Sequence, residues 1–167
     1  MRNTKYFFPA VLMVTVLSHL PFSNGAAQAH GQSQYVPVTT YDPKRDAAKD
    51  IDDAVKEAAR AHKRIILEVG GLWCSWCRTL DKFFETQTEL LSLRDKNYVT
   101  VKVNFSEENE NKDVLGRYGP IQAYPHIFIL ERDGKLLHSQ DTGVLESGNS
   151  YDLERLSGFL TKWAPSR

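Results

Sequence analysis

The chain has 167 residues, with 21 basic and 21 acidic side chains and a formal charge of zero. That balance offers no basic footprint for nucleic acid, and the length suits one domain. Its two cysteines are too few for a stapled disulfide framework.

Residues 1–29 read as an export signal. Arg2 and Lys5 make a short positive start, and Tyr6 to Leu17 is an apolar run too short to span a bilayer comfortably. Ala27-Gln28-Ala29 is a small-x-small cleavage signature, which predicts a mature chain from His30. An uncleaved anchor is the alternative, because Pro9 interrupts the apolar run. No cysteine lies near the cleavage signature, so lipid attachment is not expected. Without this segment the chain is two charges negative, since Arg2 and Lys5 are its ionic residues. Residues 30–45 are polar with scattered Tyr and Pro and read as an arm. The folded domain is expected over 46–167.

Ile51, Val55, Ala58 and Ala59 fall at helical spacing. They predict a helix from near Ala47, capped by Asp46 and closed by Lys63-Arg64. Ile65 to Val69 reads as a buried strand. It runs through Gly70-Gly71 into Trp73-Cys74-Ser75-Trp76-Cys77, and Leu80, Phe83 and Phe84 continue as a helix. Thr86-Gln87-Thr88-Glu89 fits a capping box, which predicts a break and a second short helix through Leu93. Tyr98 to Phe105 alternates, with Val99, Val101 and Val103 on one strand face. A short helix is expected within Glu107 to Tyr118, ended at Gly119-Pro120. Ala123 to Leu130 reads as a strand with proline at its start. Asp133-Gly134 is a hairpin turn, Lys135 to Ser139 is its return strand, and Gln140 to Ser150 is a loop. Leu153, Leu156, Leu160 and Trp163 mark a closing helix, followed by Pro165. The pattern predicts an α/β fold with a mixed central sheet and helices on both faces.

Both cysteines sit in Cys74-Ser75-Trp76-Cys77. Residues i and i+3 share a helical face, close enough for a disulfide to form and break locally. A helix N-terminus aims free N–H groups at the first sulfur and favours its thiolate. The competing readings are two inert buried thiols and half a zinc site. Zinc typically needs a second Cys/His pair, and the histidines here are scattered singly.

Taken together, the strand into Trp73-Cys74-Ser75-Trp76-Cys77, then Tyr124-Pro125, then the Asp133-Gly134 hairpin before a final helix resemble the thioredoxin superfamily, in its exported, periplasmic type. The resemblance covers about Asp46 to Trp163 and implies a thioredoxin-like fold with a cis bond at Tyr124–Pro125. It aligns Glu68 with a buried acid below the cysteines and Lys102 with a lysine on the next parallel strand. A buried carboxyl there can take a proton from Cys77, tuned by the lysine. The bland alternatives are a strand glutamate facing water and a surface lysine. The Ser-Trp dipeptide departs from the Gly-Pro of typical thioredoxins, which leaves the redox potential open. His126 stands where threonine is common; it either lies near Cys74 or is a plain strand residue.

The resemblance implies a thiol–disulfide oxidoreductase, periplasmic or secreted, with no cofactor, no metal and no stable membrane insertion after cleavage. Cys74, at the helix N-terminus with access to solvent, would attack a partner disulfide, and Cys77, more buried, would resolve it. Trp73, Trp76, Tyr124 and Pro125 would contact the substrate, and Trp76 alternatively packs in the core. Expected partners are protein thiols or disulfides and an upstream redox protein. The alternative function is a non-catalytic binding module, such as a metallochaperone or assembly factor holding a soft metal between the thiolates.

Overall fold

The computed structural model describes residues 1–2 and 34–166. The expected export signal and its cleavage point therefore lie outside the described residues, apart from Met1 and Arg2.

Helix α1 spans Ala47–Ala61, with the Asp46 carboxylate accepting the Lys49 amide. Its buried stripe is Ile51, Ala54 and Ala58, while Ala59 is exposed rather than on the core face. The helix ends at His62 in a left-handed conformation, φ 56°. The expected closure at Lys63 is made by its amide, which donates to the Ala58 carbonyl at 2.9 Å, and not by the side-chain charges of Lys63-Arg64. Lys63 instead bonds the Asp95 carbonyl, and Arg64 opens strand β1 (Arg64–Gly70) and bonds Glu131 and the Trp163 carbonyl.

Helix α2 covers Ser75–Thr86 and α3 covers Thr88–Asn97. The break falls where expected, but no capping box makes it. The Thr86 hydroxyl bonds back to the Lys82 and Phe83 carbonyls, and Gln87 caps α3 with no side-chain bond. A threonine hydroxyl within reach of the preceding turn satisfies itself there. Helix α3 runs past Leu93 to meet β2 (Tyr98–Asn104) directly.

A single turn, α4 (Lys112–Leu115), follows; then come β3 (His126–Leu130) and β4 (Leu136–Asp141). Gly119, φ 109°, takes a backbone conformation that favours glycine. The predicted loop 140–150 is more ordered than expected. Asp141 caps a 3₁₀ turn at Thr142–Leu145, and a small hairpin pairs β5 (Glu146–Ser147) with β6 (Ser150–Tyr151). Two-residue strands leave no alternation to read. Helix α5 is Leu153–Lys162, and its buried stripe is Leu156, Phe159 and Leu160. Leu153, expected on that face, is 48% exposed.

The sheet is four-stranded and mixed, in the order β2-β1-β3-β4. Strand β1 lies parallel to β2 and antiparallel to β3. Being central and covered on both faces, it is buried from Ile65 to Gly70, which explains its near-continuous apolar sequence. Alternation sends Ile65, Leu67 and Val69 against α1, with Val99, Val101 and Val103. Ile66 faces Leu80 and Phe84 of α2 and Leu156 of α5. Glu68 shares the Ile66 parity, so its carboxyl is sent to the α2 side.

The segment read as an arm contributes to the body of the domain. Val38 pairs with Val101 in a parallel bridge, Lys102 donates its amide to the Val38 carbonyl at 3.1 Å, and Tyr41 is buried.

Candidate functional site

Strand β1 ends at Gly70, and a short turn delivers Cys74 to the N-cap of α2. The Cys74 sulfur accepts the Cys77 amide at 3.0 Å and is joined to Cys77 in a disulfide, with Cα atoms 5.3 Å apart. Cys77 Sγ lies tight against Gly70: a Cβ on that residue would stand 2.4 Å from it. A glycine is therefore required for the sulfur to reach this depth.

Sequence reasoning expected Cys74 to be open to solvent and Cys77 to be covered. Cys74 is in fact 3% exposed and Cys77 0%. The reason is packing: the cysteines share a buried cluster with Tyr41, and Trp76 and Tyr124 pack against it. What distinguishes the sulfurs is the N-cap position, where helix N–H groups favour negative charge on Cys74.

Trp73 is 55% exposed, and its indole N–H donates to the Phe105 carbonyl at 2.7 Å. It meets Tyr124 edge-on at 5.3 Å, and Tyr124 stacks on Phe105 at 5.0 Å. Trp76 is half-buried and meets Tyr151 edge-on at 5.7 Å, so it packs against the core while keeping a solvent face. The Tyr124–Pro125 bond is cis, and the Pro125 carbonyl accepts the Thr142 hydroxyl at 2.7 Å. Beside Trp73 a cleft of about 560 Å³ is lined by Leu72, Phe105, Glu107, Glu108 and Glu110 among others.

On β1, Glu68 is 2% exposed, so it is not a strand residue facing water. Lys102 is its register partner on β2, and Lys102 Nζ lies 3.8 Å from the carboxylate. That ammonium also bonds Asp81 of α2, and its side chain is 9% exposed, so it is not an ordinary surface lysine. The Tyr41 hydroxyl donates to Glu68 Oε1. Burial pushes the Glu68 carboxyl up; Lys102 opposes this, Asp81 adds to it, and the Tyr41 hydrogen bond opposes it. Burial, followed by the Glu68 charge, pushes the Tyr41 phenol well above its ordinary value.

His126 resolves as a strand residue. It is 3% exposed and bonded through Nε2 to Ser139 at 2.8 Å, and burial pushes its imidazole down.

The structure thus packs Trp76 and Tyr124 against Cys74 and Cys77, sets Trp73 on Tyr124, and pairs Glu68 with Lys102 beside the tyrosine of the cysteine cluster; for Pro125 it shows the cis bond and the carbonyl contact with Thr142. Sequence reasoning missed Tyr41, Gly70 and Asp81. Asp81 stands four residues after Cys77, and i,i+4 spacing on a helix is the signal that would have found it. Tyr41 reaches Glu68 across 27 residues of chain, and nothing local announces that.

A family model described as thioredoxin-like matches residues 46–131. A protein disulfide-isomerase of Hordeum vulgare is 33% identical over 88 residues, which is 53% of this chain and 16% of that protein. One from Triticum aestivum matches to the same extent, 33% over 88 residues and 16% of its length. The chain therefore spans only a small part of these relatives. Among solved structures, a disulphide isomerase from Xylella fastidiosa Temecula1 is 26% identical, with a TM-score of 0.62; the match covers 77% of this chain and 98% of that one. The C-terminal domain of Neisseria meningitidis DsbD, in its oxidised form, shares the fold at 15% identity and a TM-score of 0.56, over 74% of this chain and 98% of that one.

Proposed function

The chain belongs to the thioredoxin-like family, and from that premise we propose that it is a thiol–disulfide oxidoreductase acting on protein disulfides outside the cytoplasm. One observation carries the reading: a cysteine at a helix N-cap is bridged to a second cysteine, and the tyrosine packed against that pair holds a buried carboxyl.

In the reduced protein the helix N-terminus favours the Cys74 thiolate. That thiolate attacks one sulfur of a partner disulfide, forming a Cys74–partner bond and releasing the other partner sulfur as a thiolate. Cys77 passes its proton to Glu68, and its thiolate attacks Cys74 Sγ. The Cys74–partner bond breaks, its electron pair leaves with the partner sulfur, and the Cys74–Cys77 disulfide forms. Two electrons have moved from the dithiol to the partner; the reverse sequence oxidises a partner dithiol. Both electrons travel on sulfur, so the cycle calls for no cofactor. Turnover in the reducing direction calls for an upstream redox protein to reduce Cys74–Cys77 again.

Because Cys74 is buried, the partner must approach along the aromatic surface of Trp73, Trp76 and Tyr124, with Pro125 behind it. Lys102 holds charge beside Glu68 and so sets how readily the carboxylate takes the proton. Equilibration with glutathione or dithiothreitol buffers tests the function. A catalytic couple is expected to titrate with two electrons at a midpoint between about −270 and −120 mV. A pair that stays oxidised below about −300 mV behaves as a structural disulfide and rejects the reading.

Residues 1–29 support placement in the periplasm or outside the cell, without stable membrane insertion after cleavage. Mass spectrometry of protein made with this segment is expected to find a chain starting near His30. An intact Met1, or recovery with membranes alone, would reject export by cleavage.

A further inference from the structure

We propose that Tyr41 links Cys77 to Glu68, its phenol relaying the thiol proton to the carboxylate. The inference rests on the exchange cycle above and assigns its proton step a path.

Three features place the phenol there. Its hydroxyl donates to Glu68 Oε1. Its ring is buried in the same cluster as Cys74 and Cys77. And the bare α-carbon of Gly70 marks a space that sulfur and phenol share: a Cβ there would stand 2.4 Å from Cys77 Sγ and 3.1 Å from both the Tyr41 hydroxyl oxygen and its ring carbon. The phenol therefore flanks Cys77 on one side and holds the carboxylate on the other. The segment before α1, which carries it, is anchored by the Val38–Val101 bridge.

The step balances. The Cys77 S–H bond breaks as its proton joins the Tyr41 oxygen, and the original Tyr41 proton moves along its hydrogen bond to Glu68. The thiol becomes a thiolate, the carboxylate becomes a carboxylic acid, and the phenol is unchanged. Concerted movement avoids a buried phenolate, which burial and the Glu68 charge both disfavour. Lys102 from β2, Asp81 from α2 and Arg94 from α3 also act on Glu68. Neither Lys102 nor Arg94 can take a thiol proton while charged, and the Asp81 oxygen is engaged by Lys102.

Tyr41→Phe in the full chain keeps the ring and removes the hydroxyl. Release of the mixed disulfide in single turnover is expected to slow by about tenfold, and attack by Cys74 to stay within about twofold. In a reduced Cys74→Ala background, Tyr41→Phe is expected to raise the pH at which the Cys77 thiolate appears by absorbance at 240 nm. Adding Tyr41→Phe to Glu68→Gln is expected to slow release no further, because both act on one step. An unchanged release rate with an unchanged Cys77 titration overturns the relay, as does full additivity with Glu68→Gln. Should Phe at 41 not fold, 3-fluorotyrosine keeps ring and hydroxyl while acidifying the phenol. It is expected to shift the pH profile of release, and an unshifted profile overturns the relay. A wild-type protein that forms no mixed disulfide sinks the exchange cycle instead; the Cys77 titration then still decides whether Tyr41 couples thiol to carboxylate.

Discussion

Glu68→Gln is expected to leave attack by Cys74 nearly intact and to slow release of the mixed disulfide by about 10²-fold or more, the range in which a positioned general base contributes. The carboxyl is buried below the cysteine helix, with a tyrosine hydroxyl and a lysine for neighbours. Burial is the dominant influence and raises its affinity for a proton, which an exposed glutamate lacks. Single-turnover kinetics from pH 5 to 9 measure both steps. Release rates that superimpose for wild type and variant across that range would remove Glu68 from the mechanism.

The same substitution carries a stability signature whose sign follows from the raised value. An acid held more tightly protonated in the folded state favours folding fully below its unfolded value of 4.5, and that contribution is lost as pH rises through the folded value. Wild type therefore loses stability relative to Glu68→Gln as pH rises through this window, and the difference levels off above it. Denaturant melts at a series of pH values read that difference directly. A gap between the proteins that does not change with pH would mean that Glu68 ionises as it does in the unfolded chain.

The parts of this site legible in the sequence are those that local chemistry dictates. The apolar run from Ile65 with one acid in it reads as a buried strand, and its period of two puts Glu68 on the Ile66 face, while the resemblance aligned it with a buried acid. The spacing of Cys74 and Cys77 after Gly70-Gly71 announced a helix start. The lysine on the neighbouring strand came from the family resemblance, and Lys102 is the register partner of Glu68.

Other parts were illegible because they depend on groups distant in sequence. Tyr41 lies in a polar stretch whose composition reads as solvated, and its burial depends on Val38 docking on Val101 and on a carboxylate 27 residues away. The burial of Cys74 depends on Tyr124 arriving from beyond β2 and on Trp76 turning back onto the core. Thr86-Gln87-Thr88-Glu89 matched a capping pattern, yet the Thr86 hydroxyl found carbonyl partners in the turn before it. The covering of α2 by Tyr151 belongs to a hairpin too short to leave a pattern.

The central claim is that Cys74 attacks and Cys77 resolves, and covalent trapping tests it most directly. Cys74 is the N-cap of α2, and its sulfur already accepts the Cys77 amide, so the thiolate that forms there is the stabilised one. Cys77 lies one turn into the helix with its sulfur tight against Gly70, away from the N-cap. Removing Cys77 should therefore stop the cycle after its first bond, and removing Cys74 should prevent that bond from forming. The reduced variants are mixed with a disulfide-bonded substrate such as insulin and analysed by intact mass under non-reducing conditions. Cys77→Ala is predicted to accumulate a reductant-sensitive adduct in which the substrate is attached at Cys74, and Cys74→Ala to accumulate none. Adducts of equal yield from the two variants, or an adduct from Cys74→Ala alone, would contradict the account.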